Sequence, residues 1–334
     1  SAWSTFGGVR TDDQCRALDI NNQPIEGLYV AGTDNGSLYY SPYYDIPGYC
    51  YGLCIDSGYI AANEAAKGKS KIGSTLKGIG PAYTDKIART GLRVGDITSD
   101  NFTARYEALK ASHMGTLKQL NYEADITEYE KKWMEAVEAL RRFEFIDNEV
   151  VVNRYLAGDT AILAEGAQGS LLDIDFGTYP YVTSSHPLSA GVCVGTGVGP
   201  RVISNIIGVA KAYTTRVGKG PFPTELDDEI GDKIRNVGGE FGTTTGRPRR
   251  TGWFDAVIVR HSVRVNGLDS LAINKLDTLA NIDTLKMCVA YKKPDGSVIN
   301  EFPPTLEELE GCEPIYEEFP GFTEDISKCR SFDE

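Results

Sequence analysis

The sequence is short of positive charge. Thirty-four Lys and Arg face 47 Asp and Glu, leaving a net charge of −13. A chain this acidic lacks the basic face that nucleic acid or an anionic membrane requires, so neither is expected as a partner. It has no apolar run of the ~18 residues needed to cross a bilayer. The basic-then-apolar layout of a signal peptide is missing from its first residues. The seven cysteines are an odd, scattered set without a CxxC pair, which suits reduced thiols in a cytoplasmic protein rather than a disulfide framework. Cys50 and Cys54 stand four apart with no His beside them, a pattern of buried apolar thiols. Histidine is scarce, with three in all. His113 has no ligand-like neighbour in its mixed helical stretch and His186, before Pro187, has no visible partner. His261 reads as structural. No Met precedes Ser1, so a piece of something longer is expected.

What is present is enough for a globular protein. At 334 residues, 41% apolar and 24% charged, the chain can bury a large core in two or more folding units. Residues 1–68 are rich in Tyr and Gly. Pro24 to Gly27 reads as a turn into a short strand over Leu28–Ala31, and Tyr49–Ala66 as a helix carrying small residues. From Ile72 the character changes. Gly78-Ile79-Gly80-Pro81-Ala82-Tyr83 is a loop whose backbone donors could cradle a phosphate. Thr84–Arg93 follows, with Lys86, Arg89 and Arg93 spaced for one helical face. Residues 99–148 are helical by period, with Phe102, Tyr106, Leu109, Leu117, Trp133, Met134, Val137 and Leu140 marking core faces.

Strands are expected next at Thr160–Ala164, Ile206–Arg216, Leu271–Ile273 and Met287–Tyr291, the first and third of them buried. Gln168 stands at the turn after the first, where ligand-facing polar side chains collect in open α/β sheets. Asp277, just past the third, can accept from guanine N1–H and N2–H, while the Lys275 stem can lie along the base. The densest signal is Phe241 to Trp253, FGTTTGRPRRTGW. Thr243, Thr244 and Thr245 run into Gly246, where the backbone can turn without a side chain in the way. Arg247, Arg249 and Arg250 follow, and guanidinium forks match carboxylate and phosphate oxygens. A pocket for a small anion is the reading preferred over a solvated basic loop.

Two resemblances follow from these stretches. TFGGVRTD at Thr5–Asp12, Pro24 to Gly32 and the GYIAANEAA helix at Gly58–Ala66 resemble the C-terminal end of the fumarate reductase and succinate dehydrogenase flavoproteins. The GxGxxG segment of that family is absent, so FAD is not expected to be retained. From Ile72 onward, IGSTLKGIGPAYTDKIARTGLRVGD, AEGAQGSLLDIDFGTYPYVTSS, KAYTTRVGKGPFPTEL, FGTTTGRPRRTGW, NKLDTL and EPIYEEFPGF resemble adenylosuccinate synthetase. The implied fold class is α/β: an incomplete adenylosuccinate synthetase-like (P-loop NTPase-like) mixed sheet with helices over 69–334, after a flavoprotein-like fragment over 1–68.

The implied activity is that of a ligase that condenses IMP with L-aspartate, driven by GTP and Mg2+. By this resemblance Thr75, Gln168, Thr183 and Arg247 contact IMP, and Arg89 reaches the IMP phosphate of a neighbouring subunit in a homodimer. Thr243, Thr244, Thr245, Gly246 and Arg247 close on aspartate. Arg249, Lys275, Leu276 and Asp277 belong to the GTP site. The family's N-terminal part has no counterpart here, and its phosphate loop, catalytic Asp and His and magnesium ligands go with it. Lys86 is the one catalytic candidate left, and the chain alone is expected to be inactive. An oxidoreductase built on residues 1–68 and a non-catalytic nucleotide-binding relic are the rival readings.

Overall fold

The computed structural model describes residues 16–18, 23–29, 78–158, 161–242, 248–326 and 329. The chain forms two compact units, residues 1–146 with 243–246, and residues 147–242 with 247–334.

In the first unit, β1 (Arg16–Leu18) pairs antiparallel with β2 (Pro24–Tyr29), Arg16 opposite Tyr29. The expected turn at Pro24–Gly27 is therefore already strand, a position Pro tolerates at a strand start. Helix α1 (Ile79–Ala88) follows Gly78, whose φ of 77° makes the sharp entry. Pro81 falls in its first turn, where no intrahelical bond needs its missing N–H. The GIGPAY stretch is thus a helix start and not an open phosphate cradle.

The helix also stops sooner than the sequence suggests. Arg89 turns left-handed at φ 66°, and the amides of Thr90 and Gly91 both donate to the Asp85 carbonyl, at 3.0 and 3.1 Å. Arg93 lies beyond this stop, before a 3-10 turn at Val94–Thr98, so the three-cation face is not formed. Helices α2 (Phe102–Gln119) and α3 (Thr127–Leu140) bury Phe102, Val137 and Leu140 against Ile97. Trp133 stacks on Tyr106 with centroids 4.6 Å apart. The apolar period predicts this core. His113, read as having no ligand-like neighbour, sits with Nε2 2.8 Å from Asp85 Oδ2.

The second unit opens with α4 (Asn148–Leu156) and α5 (Ala190–Thr196) and then builds two sheets. The expected single strand over 206–216 is two strands, β3 (Ile207–Lys211) and β4 (Tyr213–Arg216), broken at Ala212. They enter different sheets. β3 pairs in parallel with β6 (Ser270–Asn274), Val209 opposite Ala272, and Ala212 donates to the Asn274 carbonyl at 2.8 Å. β4 pairs antiparallel with β5 (Arg250–Asp255), which runs parallel to β7 (Thr284–Lys292). β8 (Val298–Ile299) and β9 (Glu313–Pro320) pair antiparallel with β7.

Helix α6 (Glu229–Gly238) and helix α7 (Ala256–Asn266) pack on this larger sheet, and α8 (Leu306–Glu310) leads into β9. Asp228 and Asp255 cap α6 and α7 by accepting first-turn amides, the usual way of satisfying orphan donors. Tyr213, Ile234, Trp253, Leu279 and Ile282 form one core cluster; Val257, Cys288, Tyr291 and Leu309 form another. Each such side chain contributes about 1.5–3 kcal/mol by leaving water.

Two expectations of buried strands fail. Residues 161–167 carry no strand, and Leu163 is 92% exposed. β6 forms as a strand, but Ile273 is 54% exposed. An apolar run records a demand for burial, and among the described residues nothing buries these side chains. No described helix is long and apolar enough to cross a membrane.

Candidate functional site

Ligand crevices in open α/β sheets lie beyond the carboxyl ends of parallel strands. In the parallel pair β3/β6 those ends are Lys211 and Asn274. Lys275 comes next, held left-handed at φ 61°, and its Nζ donates to the Gly238 carbonyl at 2.7 Å. Leu276 and Asp277 begin a 3-10 turn and are exposed.

The centre of this cluster is Glu240, 2% exposed. Its Oε1 accepts from Lys211 Nζ at 2.9 Å and from the Tyr213 hydroxyl at 2.6 Å. Its Oε2 accepts from Arg249 Nη1 at 2.8 Å. Burial alone would raise the Glu240 pKa, but the donors from Tyr213, Lys211 and Arg249 outweigh it and hold the carboxyl below its ordinary value. Burial lowers the Lys211 pKa, and the charges of Arg249 and Lys275 lower it further, against the pull of Glu240. Arg249 Nε is buried without an acceptor among the described residues. A guanidinium donor left open in this way suits an anionic oxygen.

The three arginines of the GRPRR stretch do not act alike. Arg250 forms a bidentate pair with Glu225, at 2.6 and 2.5 Å, and donates to the carbonyls of Gly218 and Gly220. All three of its partners are therefore internal, which takes it out of the anion pocket read from the sequence. Arg249 is engaged on one side and open on the other. Arg247 lies outside the described residues, as do Thr75, Thr243, Thr244, Thr245 and Gly246.

Gln168 and Thr183 share a second loop. Gln168 is exposed at φ 74°, ahead of a 3-10 turn at Ser170–Leu172. Thr183 donates its amide to the Leu172 carbonyl at 2.8 Å, which brings the two ends of the loop together. Asp173, fully buried, holds the loop from inside by accepting the amides of Asp175 and Phe176, each at 3.0 Å. His186, expected to lack a partner, has Nδ1 3.3 Å from Asp173 Oδ2. His261 is structural as read, its Nε2 3.0 Å from the Phe176 carbonyl. In the first unit, Lys86 and Arg89 are both exposed, and Lys86 Nζ sits 5.2 Å from the Tyr83 ring centre.

Sequence reasoning missed Glu240, Lys211 and Tyr213. A Lys closing an apolar strand was the available signal for Lys211. Glu240 is one of many acids in the chain, and nothing in its spacing marks it.

Parallel β strands flanked by helices, with cationic groups gathered beyond the ends of β3 and β6, define an α/β protein. Comparison with known proteins narrows this. The family model of adenylosuccinate synthetase matches residues 58–334, and the chain belongs to that family. It is 56% identical over 274 residues to the adenylosuccinate synthetase of Parabacteroides distasonis, covering 82% of this chain and 64% of that one. It is 50% identical over 276 residues to that of Lactococcus lactis, again covering 64% of the relative. A solved adenylosuccinate synthetase from Plasmodium falciparum, described as fully ligated, superposes with a TM-score of 0.77 at 38% identity, covering 84% of this chain and 66% of that chain. The chain thus spans just under two thirds of the length of these curated relatives. A model of an FAD binding domain matches residues 1–48.

Proposed function

We propose that this chain carries the IMP, aspartate and guanine side of a GTP-dependent ligase that joins IMP to L-aspartate in the cytoplasm. One observation supports the assignment of sites above all. Arg89, Gln168 and Lys275 were each singled out from sequence, and they are three of the five non-glycine residues with positive φ among those described. Such conformations cost about 1–3 kcal/mol each and gather at ligand-holding positions. Gln168 and Thr183 would hold IMP, with Thr75 and Arg247. Arg247 and the Thr243–Gly246 stretch would hold aspartate. Arg249 would offer its open Nε to GTP, and Lys275, Leu276 and Asp277 would face guanine. Arg89, exposed at the end of α1, would act across a homodimer.

The described residues do not fit Mg2+. The cluster closest to a metal site is Asp173, Asp175 and His186. Asp173 already accepts two amides on Oδ1 and faces imidazole on Oδ2, whereas Mg2+ demands an octahedron of oxygens. The chain's own groups bind and orient, and phosphoryl transfer needs more charge neutralisation than they supply. Purified chain given IMP, GTP, aspartate and Mg2+ should bind IMP in a calorimetric titration yet form no adenylosuccinate. Steady turnover would overturn the claim of inactivity, and the absence of any nucleotide binding would overturn the assigned sites.

A further inference from the structure

The loop from Asp173 to His186 gathers three side chains of metal-ligating type. His186 Nδ1 lies 3.3 Å from Asp173 Oδ2 and 3.7 Å from Asp175 Oδ2, and the three ligand atoms all lie within 4.8 Å of one another. The main chain fixes their places. The Ile174 amide donates to the Ser185 carbonyl at 3.3 Å and the Thr183 amide to the Leu172 carbonyl at 2.8 Å, which pins the loop ends on either side of Asp173. The Asp173 carboxylate is oriented in turn by the two amides that Oδ1 accepts, the kind of support that sets a ligand's direction. Asp173 is fully buried, yet the 3.3 Å from its Oδ2 to imidazole is long beside the about 2.7–2.9 Å of a charge-assisted bond. A cation between that oxygen and the ring nitrogen would satisfy a lone pair on each.

The distances select the ion. Zinc bonds of about 2.0–2.2 Å place neighbouring ligands of a tetrahedron about 3.3–3.6 Å apart, which the separations of 3.3 and 3.7 Å match closely. An octahedron around Mg2+, with bonds of about 2.0–2.1 Å, needs its neighbouring ligands about 2.9 Å apart. Ca2+ has longer bonds but takes oxygen ligands, whereas imidazole nitrogen suits zinc. We infer that Asp173, Asp175 and His186 form a site for one Zn2+ per chain, with its fourth position open to water. Asp173 is the buried ligand. His186 and Asp175 keep 50% and 66% of their side chains exposed and give the ion its way in. Asp175 also lines a cavity of about 370 Å³ with Tyr179, Phe302 and Leu306, which leaves space at that ligand for the water. The bound ion would tie the two ends of the loop together through side chains as well as main chain. None of the three ligands is among the residues assigned to IMP, aspartate or GTP, so this site and those assignments fail separately.

The chain, stripped with a chelator and titrated with Zn2+ alone against a chromogenic competitor, should take up one ion. His186→Asn and Asp175→Asn alter exposed side chains, so circular dichroism should not change. Each should weaken Zn2+ binding at least about tenfold. Cys193→Ser, at a free thiol elsewhere in the unit, should leave the affinity as it is. Co2+ in place of Zn2+ should show the strong visible absorption of a tetrahedral ion, and bound Zn2+ should slow amide exchange over residues 174–185. Failure to take up one Zn2+, or uptake that either ligand variant leaves unchanged, would overturn the inference. So would displacement of Zn2+ by an equal concentration of Mg2+.

Discussion

Glu240 and Arg249 are bonded twice, once through the main chain and once through the side chains. The Arg249 amide donates to the Glu240 carbonyl at 2.9 Å, and Arg249 Nη1 donates to Glu240 Oε2 at 2.8 Å. Between them, Phe241 and Pro248 form an antiparallel bridge. The two ends of the stretch carrying Thr243–Arg247 are therefore fixed by one carboxylate, and that carboxylate also holds the last residue of β3.

Removing Glu240 should be costly. Glu240→Ala removes the acceptor shared by Lys211, Tyr213 and Arg249 and leaves Lys211 Nζ with the Thr215 hydroxyl. Breaking a buried ionic network by deleting one partner costs about 3–5 kcal/mol. The lower end applies here, since Lys211 and Arg249 keep 25% and 30% of their side chains exposed. Urea denaturation of both proteins at neutral pH measures the difference. A loss under ~1 kcal/mol, the size of an exposed pair, would show that Glu240 holds nothing together.

The same carboxylate gives a pH dependence. Its pKa in the folded protein is held below the ordinary value of 4.5, which is what the unfolded chain shows. A depressed carboxylate contributes stability that is fully present above the unfolded pKa and is lost as pH falls through the folded one. Stability attributable to Glu240 should thus be flat at neutral pH and decline below about 4.5. The difference between the parent and Glu240→Gln should shrink over that acid range. A difference independent of pH would assign the effect to packing and not to charge.

Much of the helical core is legible in the sequence. Phe102, Val137 and Leu140 repeat at helical spacing, and side chains that repeat so must share a face. The strands were legible as apolar runs but not as partners. Ile206–Arg216 reads continuously, while the break at Ala212 reflects where Asn274 and Trp253 draw the chain on either side. Burial of β6 was misjudged because composition reports what a strand is built to meet, and among the described residues nothing buries Ile273. Left-handed backbone at Arg89 and Lys275 carries no sequence signal, since neither is Gly or Asn. Glu240 could not be found at all from spacing, because its three donors come from separate elements.

Gly252 offers a test of packing in the larger sheet. A Cβ there would lie 2.2 Å from the Thr224 carbonyl oxygen and 2.8 Å from the Phe222 ring. The oxygen is main chain and accepts the Trp253 amide at 3.1 Å, so it cannot move without breaking that bond. Gly252→Ala should lower stability by about 1–3 kcal/mol, the usual cost of overpacking. Gly95→Ala, where a Cβ meets nothing within 4 Å, is the control. Equal effects of the two would show that Gly252 is not a point of close approach.

The arginines of the GRPRR stretch should separate on binding. Arg250 is paired with Glu225 and with two carbonyls, so Arg250→Ala should leave IMP affinity nearly unchanged. Arg247, assigned to both IMP and aspartate by family resemblance, should dominate. Truncating it removes a charge-assisted hydrogen bond worth about 1.5–3 kcal/mol, or roughly ten- to a hundredfold in affinity. Calorimetric titration of IMP into the parent, Arg247→Ala and Arg250→Ala decides the matter. Equal losses in the two variants would mean that the stretch attracts anions as a diffuse basic patch, and Arg247 would lose its assigned place. A hundredfold loss confined to Arg247→Ala would locate IMP beside this loop, at the end that Glu240 and Arg249 hold fixed.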